Sequence, residues 1–322
     1  MKDKYGREID YLRISLTTSC NLRCIYCMPE LLEKESNISN EKLLTKDEII
    51  KITDIFSKIG IKKIRLTGGE PLLREEINEI IAGINKIEGI KEICLTTNGI
   101  LLEKNIEELK KNGLTRVNIS LDTVDEDEYF KITRGGNLKT VLKGIEKAIE
   151  LGIKVKINTV LIESPKNQKN ILDIVKLSLN ENIDVRFIEL MPIGVAKNFK
   201  KVNAEKVIEI LSKEYELENL EHFEGTSRYY KIKNSTGRIG FINPISQCFC
   251  ESCNRVRITS QGGLKNCLSS KMEVNIIELL RENISLDEIR DIIEKNIFNR
   301  NEKSIFEEKE QSVQKKMNEI GG

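Results

Sequence analysis

The sequence predicts an α/β fold: an incomplete (β/α)6 barrel of the TIM type, open along one side, with a C-terminal α+β element. From residue 13 to residue 190 a unit recurs six times, made of a short β-branched run, a polar turn and a stretch with helical periodicity. Strands that alternate with helices are joined by right-handed crossovers and form a parallel sheet. Because six units are fewer than a closed (β/α)8 barrel contains, we expect a lateral opening that admits a large substrate.

The predicted strands are short apolar runs with polar residues at or near their carboxyl ends. They are LRISLT (12–17), KKIRLTGG (62–69), EICLTTNG (92–99), RVNISLD (116–122), KVKINTV (154–160) and DVRFIEL (184–190). The first predicted helix begins after Thr45, which can form a capping box with Glu48, and ends at Gly60. In parallel α/β folds the carboxyl ends of the strands build the site, so the polar strand ends predict where the chemistry takes place.

The alternation of strand and helix patterns ends after Pro192. A helix is predicted over 203–215, followed by a hairpin that joins RYYKI to RIGFI, a second group of cysteines and two polar helices. We therefore divide the chain into a partial barrel, residues 1–192, and a smaller C-terminal element, residues 193–322, that covers the mouth of the barrel.

Composition excludes several classes of partner. The 322 residues include 52 basic and 51 acidic side chains, which leaves a net charge of +1. This balance creates no overall field toward nucleic acid or a membrane surface, so any anion site must be local. The N-terminal residues contain no apolar core of a signal peptide, and no run approaches the roughly 20 apolar residues of a membrane span. We expect a cytoplasmic protein that binds neither nucleic acid nor membranes.

Seven of the eight cysteines fall into two groups. The first group is Cys20, Cys24 and Cys27, and the second is Cys248, Cys250, Cys253 and Cys267. In a reducing compartment such clusters indicate metal binding instead of disulfides. The chain has one histidine, His222, so two Cys3His zinc sites cannot both be built. Cys94 lies within an apolar strand and is interpreted as a core residue.

The first cysteine group follows the first strand with the spacing C-x3-C-x2-C. A disulfide uses two thiols and a closed structural metal site usually uses four ligands, so three thiols leave a coordination position open. In a [4Fe–4S] cluster the open position is an iron without a protein ligand. The adjacent amine and carboxylate of S-adenosylmethionine suit such an iron. The alternative is a three-thiol zinc knuckle, for which the sequence offers no nearby histidine.

The stretch C-x3-C-x-Y-C, followed by GGEP after the second strand, resembles the radical SAM superfamily. This resemblance implies a cluster that cleaves S-adenosylmethionine to a 5′-deoxyadenosyl radical, which abstracts a substrate hydrogen. It implies that Cys20, Cys24 and Cys27 bind the cluster and that Tyr26 lies beside the adenine. Gly68 and Gly69 would allow the backbone to approach the methionyl group. Further implied roles are the fixing of that loop by Glu70 and contacts to the cofactor from Ser120 and Met191.

The second cysteine group contains Cys250 and Cys253 in a C-x2-C spacing, with Cys267 after a Gly-Gly turn. One interpretation is a second three-thiol site, and the alternative is a structural four-thiol zinc ribbon that includes Cys248. Arg255 and Arg257 alternate directly after Cys253, so on a strand both would face the same side.

Residues 11–322 resemble the GTP 3′,8-cyclase family of molybdenum cofactor biosynthesis. The motifs that carry this resemblance are FC-x2-CNRVRIT, LRIS, RLTGGEPLLR, TTNG, ELMPIG and the terminal IGG. The resemblance implies a lyase that cyclises GTP to (8S)-3′,8-cyclo-7,8-dihydroguanosine 5′-triphosphate. It also implies a second [4Fe–4S] cluster, held by Cys250, Cys253 and Cys267, whose open iron contacts the guanine. An external electron donor and a homodimer are implied as well. Implied catalytic residues are Arg13, Arg255, Arg257, Gly321 and Gly322.

GTP requires an anion site, and the sequence contains no G-x4-G-K-[ST] loop to cradle its phosphates. Side-chain cations at the inward strand positions must replace such a loop, and arginine suits phosphate because its planar fork binds two oxygens. The predicted GTP-binding residues are Arg13, Lys63, Arg65, Thr96, Lys156, Arg186, Arg255, Val256 and Arg257.

One departure from the family pattern precedes the first cysteine. The family commonly has an Asp-Arg pair there, whereas this chain has Thr18 and Ser19. Two rival functions remain at the level of sequence. One is a radical SAM peptide-modifying enzyme with an auxiliary cluster, which would not need the inward cations. The other is a zinc-binding module in which both cysteine groups are structural.

Overall fold

The computed structural model describes residues 1–29, 43–270 and 274–304, with the backbone alone for 221–224. Its strands are β1 Tyr11–Ser15, β2 Lys63–Thr67, β3 Glu92–Thr97, β4 Arg116–Ser120, β5 Lys154–Leu161, β6 Ile183–Glu189, β7 Leu217–Glu224, β8 Ser227–Ile232, β9 Arg238–Ile242, β10 Arg255–Ile258, β11 Gly263–Lys265 and β12 Val274–Asn275. Its helices are α1 Lys46–Lys58, α2 Ile77–Asn85, α3 Leu102–Lys111, α4 Glu126–Thr133, α5 Leu138–Glu150, α6 Asn167–Val175, α7 Ala204–Glu214, α8 Ile276–Arg281 and α9 Leu286–Phe298.

The predicted α/β class with a parallel sheet is confirmed. Strands β1 to β6 are adjacent in chain order and each neighbouring pair is parallel. The predicted capping box forms at α1, where the Thr45 hydroxyl accepts from the Glu48 backbone at 3.2 Å and the Glu48 carboxylate accepts from the Thr45 backbone at 2.8 Å. The predicted hairpin also forms, as the antiparallel pair β8 and β9.

The C-terminal residues extend the same sheet at both edges, which the sequence did not predict. Strand β10 pairs in parallel with β1, and β9 pairs in parallel with β6, so the order is β12-β11-β10-β1-β2-β3-β4-β5-β6-β9-β8-β7. An open barrel leaves unpaired backbone groups on its two edge strands, and these additions satisfy them. The division of the chain at residue 192 therefore stays an interpretation of the sequence, since the sheet continues across it.

The core lies between the sheet and the helices. On the strands, alternate side chains such as Leu12, Ile14, Ile64 and Leu66 are fully buried on this side. The opposite positions on β1 and β2 include Arg13 and Arg65, so the cations are directed to the other face. No helix among the residues described is long and apolar enough to cross a bilayer.

Candidate active site

Both cysteine groups line one cavity of about 610 Å³, to which strands β10 and β1 through β6 all contribute. One cavity can be shared by seven neighbouring strands only if the sheet curves around it, as in an open barrel. The predicted site residues that line it are Arg13, Cys20, Cys24, Tyr26, Cys27, Lys63, Arg65, Gly69, Thr96, Ser120, Lys156, Arg186, Met191, Cys250, Cys253, Arg255, Arg257 and Cys267.

Three predicted site residues are not among the lining side chains. Val256 is fully buried on the opposite side of β10, so any contact with a substrate would have to come from its backbone. Gly321 and Gly322 lie outside the residues that the structure describes, and their functional role stays a prediction.

The first cysteine loop follows β1 and is anchored by the end of α4. Backbone amides of Cys27 and Met28 donate to the carbonyl of Cys24 at 2.9 and 3.0 Å, which forms a tight turn. The guanidinium of Arg134 donates to the carbonyls of Arg23 and Met28. Two donors reach the sulfur of Cys20, the Leu22 amide at 3.5 Å and the Asn98 side chain at 3.7 Å.

Such donors to sulfur orient cluster thiolates and tune their electronic properties. Burial raises the pKa of the Cys20 and Cys24 thiols, so in the absence of metal they hold their protons. Metal binding would release these protons. Within the described residues no three Cys, His, Asp or Glu side chains lie close enough to share one metal ion. A four-iron cluster does not need three ligands around one metal ion, because it binds each thiolate through a different iron.

The GGEP stretch packs directly against the backbone that leads into the first cysteine loop. The amide of Gly69 donates to the carbonyl of Thr17 at 2.7 Å, and the amide of Glu70 donates to that of Ser19 at 2.8 Å. A Cβ on Gly69 would lie 2.1 Å from the carbonyl oxygen of Ser19. The close approach that requires glycine here is therefore between two protein backbones, in addition to any approach to a bound ligand.

Glu70 connects the GGEP stretch to the end of β3. Its carboxylate accepts hydrogen bonds from the Leu72 amide at 3.1 Å, the Thr97 hydroxyl at 2.7 Å and the Asn98 amide at 2.7 Å. Burial raises the pKa of Glu70 to about 7 despite these donors. The geometry agrees with the predicted role of Glu70 in fixing this loop.

The second cysteine group lies at the opposite end of the cavity from the first. Cys20 follows the carboxyl end of β1, whereas Cys253 precedes the amino end of β10, the parallel neighbour of β1. Strand β11 runs antiparallel to β10 and so returns Cys267 to the same end. The five residues of β1 that separate the two groups span roughly 13 Å.

The thiols of the second group differ in environment. Burial alone would raise the pKa of Cys253, but the guanidinium groups of Arg255 and Arg300 outweigh it and lower this pKa. Burial and the nearby Cys248 raise the pKa of Cys250. Cys248 is exposed, and its sulfur lies 2.8 Å from that of Cys250, close enough to compete as a ligand.

A row of guanidinium groups lies between the two cysteine groups. Arg257, Arg13 and Arg65 are in register on β10, β1 and β2. Burial together with the neighbouring guanidinium groups lowers the pKa of Arg13 and lowers those of Arg257 and Arg186 to about 10. Such mutual repulsion is relieved by an anionic ligand, and a polyphosphate would supply the charge.

The two predicted lysines of the site have acidic partners. Lys63 forms a 2.5 Å ion pair with Glu92. Lys156 forms a 2.8 Å pair with Asp184 and donates to the Tyr229 hydroxyl at 3.1 Å. These contacts partly neutralise the positive charge of both lysines.

Tyr11 is a site residue that the sequence analysis missed. Its hydroxyl oxygen accepts a hydrogen bond from Nε of Arg65, and the guanidinium groups of Arg65 and Arg255 lie 5.8 and 5.7 Å from its ring centre. Burial alone would raise the pKa of Tyr11, but the charges of Arg65, Arg13 and Arg255 outweigh it and lower this pKa to about 8. The available signal was its position two residues before Arg13, which puts both on one face of β1.

Comparisons with known proteins show the family to which the chain belongs. The model of the radical SAM superfamily matches residues 14–177, and the model described as Molybdenum Cofactor Synthesis C matches residues 183–306. Proteins named GTP 3′,8-cyclase are similar over 100% of both chains: 52% identity over 328 residues in Clostridium perfringens (strain 13), 46% over 327 residues in Clostridium botulinum (strain Hall) and 44% over 327 residues in Alkaliphilus metalliredigens.

Among solved structures, Streptococcus suis SuiB bound to S-adenosylmethionine superimposes with a TM-score of 0.60 at 15% identity, covering 88% of this chain and 68% of that one. SuiB bound to its precursor peptide SuiA gives a TM-score of 0.61 at 15% identity, with 88% and 67% coverage. At this identity the likeness shows the fold alone. The sequence identity over full length is what defines the family, and it confirms the predicted resemblance: this chain belongs to the GTP 3′,8-cyclase family of the radical SAM superfamily.

Proposed function

We propose that this protein is an S-adenosylmethionine-dependent radical lyase that cyclises GTP to (8S)-3′,8-cyclo-7,8-dihydroguanosine 5′-triphosphate in molybdenum cofactor biosynthesis. The observation that carries the proposal is the placement of the two cysteine groups at opposite ends of the parallel strands β1 and β10, with Arg257, Arg13 and Arg65 in register between them. A GTP molecule with its base at the second cysteine group, beside Arg257, and its triphosphate over Arg13 and Arg65 would present its ribose to the first cysteine group.

The first cysteine group supplies the ligands of the [4Fe–4S] cluster that the superfamily implies. The residues fit this group, because three half-buried thiols line the cavity and amide donors reach the sulfur of Cys20. When bound, the cluster and S-adenosylmethionine supply a 5′-deoxyadenosyl radical that abstracts hydrogen from C3′ of the ribose. Tyr26, Gly69, Ser120 and Met191, which line the same cavity, orient the cofactor.

Cys250, Cys253 and Cys267 of the second cysteine group would hold a further [4Fe–4S] cluster, which would supply an iron without a protein ligand for contact with the guanine. The lowered pKa of Cys253 favours the thiolate that a cluster requires. Arg255 and Arg257 lie in the first three residues of β10, next to this cysteine group, and line the cavity, so they contact the base and ribose.

The inward cations bind the triphosphate. Arg13, Arg65 and Arg186 provide guanidinium forks, while Lys63 and Lys156 exchange part of their contact with Glu92 and Asp184 for phosphate oxygens. The Thr96 hydroxyl accepts from Arg65 at 3.2 Å and holds that fork in place. The protein thereby contributes orientation and exclusion of water from the reacting carbon centres.

Four further points of the proposal rest on the family resemblance. The backbone of Val256 contacts the substrate, and the terminal Gly321 and Gly322 are needed for catalysis. The protein is a homodimer, for which the sequence itself favours a cytoplasmic location. An external donor supplies the electrons.

The proposal is tested by anaerobic incubation of the iron-loaded protein with GTP, S-adenosylmethionine and dithionite. We expect 5′-deoxyadenosine and a cyclised GTP product in equal amounts by liquid chromatography and mass spectrometry. Cys24→Ala should abolish both products while iron remains at the second cysteine group. Formation of 5′-deoxyadenosine by Cys24→Ala, or its formation by the unaltered protein without any change in GTP, would contradict the proposal.

A further inference from the structure

Residues from the beginning of the chain and residues after α9 meet at the second cysteine loop. Asp3, Arg7 and Arg300 are 4%, 7% and 4% exposed. The carboxylate of Asp3 lies 2.6 Å from Nε of Arg7 and 3.7 Å from Nε of Arg300, so one buried anion bridges two buried cations. Burial alone would raise the pKa of Asp3, but the hydrogen bonds from Arg7 lower it, which keeps the group a carboxylate.

Both guanidinium groups continue from Asp3 to the cysteine loop. Nη1 of Arg7 donates to the carbonyl of Cys250 at 3.0 Å. Nη1 of Arg300 donates to the carbonyl of Cys253 at 3.2 Å, and Nη2 of Arg300 donates to the sulfur of Cys253 at 3.5 Å. The fork of Arg300 therefore contacts both the backbone and the sulfur of one predicted cluster ligand.

The segment from 300 to 304 is held against the same loop. Arg7 donates to the carbonyls of Asn301 at 2.7 Å and Glu302 at 2.8 Å. The backbone amide of Ser304 donates to the sulfur of Cys250 at 3.3 Å. Two of the three predicted ligands thus each receive a hydrogen bond at sulfur from this segment.

A buried ion pair can serve stability alone, but that role does not require a donor at sulfur. Hydrogen bonds and positive charge at a cluster thiolate stabilise the reduced, more negative state and raise the reduction potential. Arg300 supplies both a hydrogen bond and a positive charge, and because its side chain is buried, solvent screens that charge only weakly. Arg255 and Arg300 both line the cavity and both charges act on Cys253, but Arg300 is 4% exposed and its fork already donates to the carbonyl and the sulfur of Cys253.

We propose that Arg300, held by Asp3 and Arg7, is a positioning residue of the second centre that orients Cys253 and raises the reduction potential of the cluster bound there. The inference rests on the proposed function in one respect only, that the second cysteine group binds an iron–sulfur cluster. It concerns how readily that centre accepts an electron and not which substrate the enzyme uses.

The test uses the full chain loaded with iron and sulfide, with the variants Arg300→Lys and Arg300→Gln. Arg290→Gln is the matched control, because Arg290 is a half-buried arginine on α9 that pairs with the exposed Asp287. Iron and acid-labile sulfide are measured per chain, and each cluster is titrated by electron paramagnetic resonance. The two signals are assigned with Cys24→Ala, in which only the second cluster is expected to remain, so that the assignment does not depend on the substrate.

We expect Arg300→Gln to retain iron and to shift the potential of the second cluster to a more negative value, with a smaller shift in Arg300→Lys and none in Arg290→Gln. The first cluster should keep its potential in all three. If Arg300→Gln loses the second cluster, a shifted potential in Arg300→Lys still supports the proposal.

Two outcomes overturn the inference. One is an unchanged potential of the second cluster in an Arg300→Gln protein with full iron content. The other is loss of that cluster from both Arg300 variants, together with a fall of similar size in the melting temperatures of the two iron-free variants relative to the iron-free unaltered protein. This result would make Arg300 a structural support. Failure of the premise that the second group binds an iron–sulfur cluster would look different, since the unaltered protein would then carry zinc, or no metal, at that group.

Discussion

The Tyr26 hydroxyl donates a 2.8 Å hydrogen bond to Oδ2 of Asp122, and Oδ1 of the same carboxylate accepts from the Val160 amide at 2.9 Å. Tyr26 lies in the first cysteine loop, Asp122 lies two residues after the end of β4, and Val160 is on β5, so the carboxylate connects the loop to two strands of the sheet. Burial raises the pKa of Asp122 to about 6, and burial with the charge of Asp122 raises that of Tyr26. At neutral pH the pair is a phenol donating to a carboxylate.

Asp122→Ala should weaken S-adenosylmethionine binding by roughly tenfold, because a charge-assisted hydrogen bond that fixes the ring beside the adenine is worth about 1.5–3 kcal/mol. Isothermal titration of the iron-loaded protein measures the affinity. Asp127→Ala, an exposed carboxylate on α4, is the control and should bind normally. An unchanged affinity in Asp122→Ala at full iron content would show that Tyr26 does not depend on this contact.

Gly69→Ala should prevent assembly of the first cluster. Its Cβ would lie 2.1 Å from the Ser19 carbonyl oxygen, so the GGEP stretch and the cysteine loop must separate. Gly152→Ala is the control: at φ +70° it strains the backbone but meets no atom within 4 Å. We expect about half the iron content in Gly69→Ala and a full content in Gly152→Ala. Equal iron in both proteins would contradict the steric argument.

GTP affinity should fall as the pH rises through about 8. Below that value Tyr11 is neutral, since its pKa is lowered to about 8 by Arg65, Arg13 and Arg255 against the effect of burial. Above it the phenolate offsets part of the cationic charge and repels the phosphates. Between about pH 7 and about pH 9 the affinity should weaken by roughly tenfold.

Equilibrium dialysis with GTP checks this dependence. Tyr11→Phe removes the ionisable group and should flatten the profile above pH 8, whereas the exposed Tyr5→Phe should not. A profile that stays as steep in Tyr11→Phe as in the unaltered protein would assign the titration to another group.

Arg257→Ala should reduce GTP affinity by at least roughly tenfold and leave the iron content unchanged, because Arg257 faces the cavity in register with Arg13. Arg255→Ala should behave similarly. Arg290→Ala, on α9 and not among the residues that line the cavity, serves as the matched control. Binding of GTP is measured on anaerobic protein of known iron content. Loss of iron with intact GTP binding in the remaining loaded protein would instead make these arginines structural.

Cys248→Ser should retain the second cluster, whereas Cys253→Ser should lose it. Cys248 is exposed, while Cys253 is half-buried and receives a hydrogen bond at sulfur from Arg300. Iron and sulfide analysis with Mössbauer spectroscopy distinguishes the two outcomes. A second cluster that survives in Cys253→Ser but disappears in Cys248→Ser would reverse the assignment of ligands.

The sequence alone determined what depends on local order. The six parallel strands, the capping box at Thr45 and both cysteine groups could be predicted, because periodicity, turn residues and ligand spacing act over a few neighbouring residues. The inward direction of Arg13 and Arg65 also followed, since alternate side chains of a strand face opposite sides.

Only the tertiary structure decided which distant segments meet. No local pattern records that β10 pairs with β1, and this pairing is what puts Arg257 beside Arg13 and the second cysteine group at the far end of the cavity. In the sequence Tyr11 is one residue of an apolar strand, and only the folded structure brings Arg65, Arg13 and Arg255 around it. Arg300 lies after the last helix, in a stretch without a motif, and its role arises from contacts with Asp3 and Cys253. Pairing across such separations is selected by burial and hydrogen bonding of the whole chain, which short-range sequence patterns do not encode.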